Sequence, residues 1–321
     1  MVRTSLLAAA VATRLMALTF DDLPGADPKA PLPVLQDENR RILAALHKVQ
    51  APAIGFVNEG RLQVKGERDA RVAILETWLD AGCDLGNHTE AHLGLSTTPL
   101  AEYEDSVVRG EAVTRGLLEA RGRKEHYFRH PFTQTGPTRE IKEAFEAFLA
   151  ARGYAIAPFT VEAVDYMFAR LYDEALAKHD AARAARVRDA YLEHNDRMLT
   201  FFEGLAADEF GRAIPQIFLM HDNRLNADTL PELLEHFARR GYRFATLEQA
   251  LADPAFATPD LYVGTNGPSW LHRFSVALKK PMRLLDEPDP PAWVLEAFAA
   301  STPVMAKPTP EAPVTAPPPG R

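Results

Sequence analysis

The sequence predicts an α/β fold, an irregular (β/α)7-type barrel of parallel strands with helices outside. Two observations predict it. Short apolar runs and amphipathic helical stretches alternate seven times between residues 15 and 252. Polar clusters follow four of the runs at the same end, the edge where barrel enzymes place their chemistry.

The elements run in order. Residues 15–20 read as a strand, and 37–49 as a helix with Ile42, Leu43 and Leu46 on one face. Residues 53–57 form the next strand, and 67–81 a helix with Val72, Leu75, Trp78 and Leu79 at helical spacing. A short strand leads to His88, 100–120 read as one helix, and 125–129 as a strand. A helix over 138–152 is stopped by Gly153, and a strand over 154–158 follows. Residues 165–205 read as one long helical stretch, and 214–220 as a buried strand. A helix over 230–240 stopped by Gly241, a strand over 242–245 and a closing helix from 247 complete the pattern.

At 321 residues, 46% apolar and 25% charged, the chain can bury a large core without disulfides. A net charge of -8 argues against non-specific attraction to nucleic acid or an anionic membrane. Cys83 is the only cysteine, which excludes an internal disulfide and a Cys-based zinc site. Between Gly82 and Asp84, it reads as a small buried side chain. No segment is long and apolar enough to span a membrane. Residues 1–12 have the parts of a signal peptide: Arg3, an apolar stretch, and small residues at Ala10-Val11-Ala12. They predict a periplasmic or secreted protein, with a cytoplasmic one as the alternative. A catalytic domain over 13–253 is expected to carry a helical insertion at 165–210. A packed extension over 254–300 and a disordered Pro-rich tail over 301–321 would follow.

The chemistry-bearing residues sit after the strands. His88 and His92, four apart, could grip one ion from one side of a helical turn. Alone, such a pair is more often two loop histidines. Adjacent Asp21 and Asp22 change that weighting, because one carboxylate can bind metal while the other takes a proton. Arg129, among aromatics at a strand end, could hold a buried acid ionised, and Asp165 is a candidate partner. Asp165 also reads as a helix N-cap. His221, emerging from a buried strand beside Asp222, is either a core histidine or a general acid tuned by a neighbouring carboxylate. His47, His126, His179, His194, His236 and His272 read as surface or packing residues, and strand alternation points His130 away from Arg129.

These clusters, in this order, resemble the polysaccharide deacetylase family, carbohydrate esterase family 4, also called the NodB-homology domain. The resemblance spans residues 15–252 and rests on Thr19-Phe20-Asp21-Asp22, His88-Thr89-Glu90-Ala91-His92, Arg129-His130-Pro131-Phe132, Glu162-Ala163-Val164-Asp165-Tyr166 and Leu219-Met220-His221-Asp222. It implies Asp21 as general base, Asp22, His88 and His92 as metal ligands, and Arg129 as the residue orienting the base. It further implies His221 as general acid, Asp165 as partner of the Arg, a Phe132 N–H for the oxyanion and Leu219 as a wall for the acetyl methyl. Tyr166 stands where the family often has Trp, and Thr133 where Gly commonly follows the aromatic. The implied activity is metal-assisted removal of an N-acetyl group from an amino-sugar polymer or oligosaccharide. One divalent ion is expected, with zinc best suited and cobalt, nickel or manganese also fitting. An O-acetyl esterase of xylan type, a non-sugar amide hydrolase and a carbohydrate-binding pseudoenzyme are the alternatives.

Overall fold

A computed structural model describes residues 14–301. The signal-like segment 1–12 and the tail beyond 301 lie outside the described residues. Seven strands are β1 (Arg14–Leu23), β2 (Ala53–Val57), β3 (Asp84–Asn87), β4 (Tyr127–Phe128), β5 (Ala155–Ile156), β6 (Gln216–His221) and β7 (Tyr242–Ala245). Every pairing is parallel, in the order β5-β4-β3-β2-β1-β6, with β7 also on β1. An isolated parallel bridge between Val161 and Phe218 joins the segment after β5 to β6. The result is the expected parallel barrel, closed at its weak seam by that bridge rather than by a full ladder.

The helices are α1 (Leu32–Lys48), α2 (Arg68–Asp80), α3 (Leu100–Arg109), α4 (Ala112–Glu119), α5 (Arg139–Ala151), α6 (Asp165–Ala177), α7 (Ala181–Phe210), α8 (Arg224–Arg239), α9 (Leu247–Leu251), α10 (Trp270–Ala277) and α11 (Ala292–Ser301). Two single helices expected from the sequence are in fact pairs. The stretch 100–120 breaks at Gly110, where a Cβ would lie 2.6 Å from the backbone of Thr89 and of Glu90. Only glycine lets the helix pair pack this closely on the loop between the two site histidines. The stretch 165–205 breaks at His179, in the left-handed region at φ 56°, and restarts where Asp180 caps α7 by accepting from the Arg183 N–H. Helix α1 starts earlier than its apolar periodicity suggests, because Pro33 is well tolerated in a first turn.

Strand alternation sorts the core. Met16, Leu18 and Phe20 of β1 face outward and join the large cluster under the helices. Ala17 faces inward with Ile54, Phe56, Tyr127 and Ile217, and α9 adds Leu247 and Ala250 to this small interior cluster. Thr19 and Asp21 continue the inward series of β1, as Arg129 continues that of Tyr127, and Leu219 and His221 that of Ile217. The barrel interior therefore changes from apolar to polar along its strands, and the polar layer is the site. Cys83 is buried, 2% exposed, as its surroundings suggested. Helix α10 lays Leu271 and Phe274 on the main core, and Trp270 meets Phe159 edge to face at 5.6 Å.

Candidate active site

Asp21 and Asp22 are neighbours on one strand, so a regular pleat would point them to opposite faces. Both line one cavity of about 1610 Å³. The pairing of β1 with β2 shifts register between Phe20 and Leu23, and Asp22 has φ 75°. This irregularity turns the second carboxylate into the same cavity as the first. Asp22, Thr89, His92, Phe132, Thr133 and Val164 all have φ between 43° and 75° and all flank the site. Such a concentration of costly backbone marks a place where geometry is held for function.

His88 and His92 do not share a helical turn, as their spacing suggested. They end a loop in which Thr89 and His92 both have positive φ. Asn87 Oδ1 accepts from the Thr89 N–H at 2.7 Å, Thr89 Oγ1 from the His92 N–H at 3.0 Å, and Asn58 donates to the His88 carbonyl at 2.6 Å. The imidazole centroids come to 5.1 Å. One donor atom from each of Asp22, His88 and His92 lies within 4.8 Å of the others, and this is the one such trio among the described residues.

The donors fit a metal ion. His88 Nδ1 donates to the Arg129 carbonyl at 2.8 Å, which leaves Nε2 with a lone pair toward the cluster. Burial holds His88 well below its ordinary pKa and lowers His92 too, so both rings are neutral as ligands must be. Burial pushes Asp22 upward, but neighbouring cations, the Arg61 guanidinium foremost and His221 with it, bring it below its ordinary value. Asp22 Oδ1 is buried and accepts no hydrogen bond, although Arg61 Nη2 is 3.2 Å away. An orphaned carboxylate oxygen between two neutral imidazoles is an incomplete coordination set.

Beside this trio sit two buried acids with different partners. Arg129, fully buried, places Nη1 3.4 Å from both oxygens of Asp21 and spends Nη2 on Thr19 Oγ1 and the Pro158 carbonyl. Burial outweighs this long pairing and pushes Asp21 up to about 6. Asp165 meets His221 instead: Oδ1 is 2.6 Å from Nδ1, and Oδ2 accepts from the His221 N–H at 2.8 Å. Burial lowers the imidazole, but Asp165 overrides it and raises His221 to about 10. The expected pairing of Asp165 with Arg129 is thus corrected, because each cation reached a different carboxylate. Nor is Asp165 an N-cap. Val164 holds that position, and the Asp165 carboxylate also serves Asn223 and Asn226. Asp222 does not tune His221 either, since its Oδ2 accepts from Asn39 at 2.9 Å.

Phe132, 58% exposed, and Leu219, buried, both line the cavity, and the Phe132 ring packs on His92 at 4.6 Å. His130 turns outward, as alternation predicts, into rings of Phe128 and Phe145. His194 and His272 are buried packing residues. Sequence reasoning missed Arg61, Thr19, Asn223 and Asn226 as members of the site. The two Asn side chains lie within five residues of His221 and so carried a positional signal, whereas Arg61 carried none. It missed Tyr191 as well, which donates to Asn226 Oδ1 at 2.6 Å and ties α7 to the acid.

Residues 9–147 match the family model described as Polysaccharide deacetylase. That match agrees with the family resemblance of the motifs over the part of the chain that holds Asp21, Asp22, His88, His92, Arg129 and Phe132. No curated protein matches the sequence significantly. Among solved structures, the chain is similar to BA3943 from Bacillus anthracis, described as a CE4 family pseudoenzyme. That match has 17% identity and a TM-score of 0.51, over 75% of this chain and 66% of that one. A BA3943 mutant described as having restored enzymatic activity aligns at 19% identity and TM-score 0.50, over 75% and 69%. The polysaccharide deacetylase Bc1974 from Bacillus cereus aligns at 17% identity and TM-score 0.50, over 73% and 91%. At such identities the likeness is one of fold. The strand-end layer described above is where this fold carries its polar residues.

Proposed function

We propose that the protein is a divalent-metal-dependent hydrolase that removes N-acetyl groups from an N-acetylglucosamine-type oligosaccharide or polymer. One observation carries this reading: a three-donor metal cluster shares a cavity with a base and an acid of opposite character. Asp22, His88 and His92 would hold the ion, zinc by preference, with cobalt, nickel or manganese as substitutes. When bound, it would polarise the acyl carbonyl and make a nearby water more acidic.

The chain's own residues do the proton work. Asp21, ionised above about pH 6, takes a proton from the attacking water. Arg129 holds that carboxylate in place through both its oxygens. His221, kept protonated by Asp165, delivers a proton to the departing amine nitrogen. The Phe132 N–H is assigned to the developing oxyanion, and Leu219 offers the acetyl methyl an apolar wall. Residues 1–12 are assigned to export, which N-terminal sequencing of the mature protein checks.

The test is metal analysis combined with acetate release from chitin, peptidoglycan, xylan and small amides. Chelator-sensitive acetate release from N-acetylated sugars is expected. Release only from xylan would make the protein an ester hydrolase. A protein that binds sugar and loads metal but releases nothing would be a pseudoenzyme, as BA3943 is described.

A further inference from the structure

The cavity extends well past the reacting groups, between the start of α1, the length of α6 and the start of α8. Of its charged residues there, Arg170 and Glu174 are half-buried and pair with each other. Asp27, Lys29, Asp173 and Arg224 are exposed at the rim, where water serves them. Glu38 is different: it is only 6% exposed, it lines the cavity, and no hydrogen bond or ion pair reaches its carboxylate. Ala30 and Ala169 beside it on the cavity wall are buried, and Val34 adds a further apolar side chain.

No base pairs directly with Glu38, although Arg41 and Arg224 act on it from a distance against the burial that raises it. Arg41, its neighbour, is held by Asp37 at 2.8 Å and by Asp228. Arg170 is shared by Glu174 and the Ser301 carbonyl. Arg224 is exposed and forms no ion pair with it. Asp222, close enough to repel Glu38, is fully buried and leaves its own Oδ1 without a partner. Nearer the reacting groups, Glu162 also lines the cavity with no hydrogen bond or ion pair. Two solitary carboxylates thus face one substrate channel, one within an apolar wall. A carboxylate set in an apolar wall without a protein partner is costly to ionise, and a bound cation offsets that cost.

We propose that this arm of the cavity is a subsite for a protonated primary amine, with Glu38 as its principal acceptor, so that the preferred substrate is an oligosaccharide carrying free ammonium groups beside its acetylated residue. The inference rests on the deacetylase reading and narrows it: a neutral xylan ester or a fully acetylated chain offers Glu38 nothing, whereas a partly deacetylated glucosamine chain does. Without a cation, burial and the two neighbouring acids push Glu38 up to about 8. A bound ammonium would draw it back to the charged form.

Calorimetry with the full-length protein decides the matter without turnover. A glucosamine tetramer, which has no acetyl group to lose, is compared with the N-acetylglucosamine tetramer. The wild type is expected to bind the amine form more tightly at low salt, and Glu38→Gln to bind it roughly tenfold more weakly, the scale of one charge-assisted hydrogen bond. Gln keeps the shape of the protonated carboxyl, so the variant is expected to fold. As a check that needs no variant, the wild type's preference should shrink as salt rises. Equal wild-type affinity for both tetramers overturns the proposal. So does an equal loss of both in Glu38→Gln, or a preference indifferent to salt. Absence of acetate release from every acetylated substrate would sink the deacetylase reading, while the calorimetric comparison would still decide the subsite.

Discussion

Asp21 and Asp165 are both buried carboxylates facing one cation each, yet the fold gives them opposite tasks. Asp21 has only a guanidinium at 3.4 Å, shared with Thr19 and the Pro158 carbonyl, and burial wins. Asp165 has an imidazole at 2.6 Å, a backbone N–H and two Asn amides, and its donors win. The number and closeness of donors decide which carboxylate is ready to accept a proton and which keeps one on its neighbour. With the base ionised above about 6 and the acid protonated below about 10, activity should be bell-shaped between those limits. A cation held by the adjacent trio would move the lower limit further down.

The contrast can be broken from either side. Asp21→Asn removes the base and should lower kcat roughly a thousandfold, within the range for general bases, while calorimetric metal affinity persists through Asp22, His88 and His92. Asp165→Asn lets His221 fall from about 10 toward its ordinary value. The alkaline limb should move down with it, with a loss of roughly thirtyfold in kcat at pH 8. An unmoved alkaline limb would show that His221 is not the acid. Arg129→Met removes the stronger of the two cations that oppose burial at Asp21, so the acidic limb should rise while kcat above it falls roughly tenfold. It also leaves a buried acid unpaired, at a cost of about 3 kcal/mol in denaturant unfolding. Tyr191→Phe only loosens Asn226, two steps from His221, and should cost about twofold in kcat with a small downward move of the alkaline limb.

How much of this was legible follows the same division between local and long-range causes. The strand ends were legible because alternation and stop residues are local, and β2 and β7 have the bounds the sequence predicts. Asp21, Asp22, His88, His92 and His221 were legible because their neighbours in sequence carry a recognisable order. Which cation meets Asp165 was not, since His221 is 56 residues away and Arg129 is nearer in sequence yet pairs elsewhere. The loop shape at His88 and His92 was hidden as well. It depends on Gly110, which reads in sequence as an ordinary weak spot in a helix and acts instead as clearance for another backbone.

Residues 254–301 lie beyond the part of the chain that matches the family model, yet they hold a left-handed turn of the site. Thr133, following Phe132 with both φ at 53°, donates through Oγ1 to the Gly267 carbonyl at 2.6 Å. Its own carbonyl accepts from Arg273 at 2.6 Å, and Arg273 is fully buried against Trp270 and Asp260. A Cβ on Gly267 would sit 1.8 Å from Thr133 Oγ1, so even a methyl group there would pry the turn open. The C-terminal segment is therefore a keystone: it closes the arch over the reacting groups from the far end of the chain. Amide protection at Thr133 should then rise and fall with that of α10 in hydrogen exchange, as one cooperative unit.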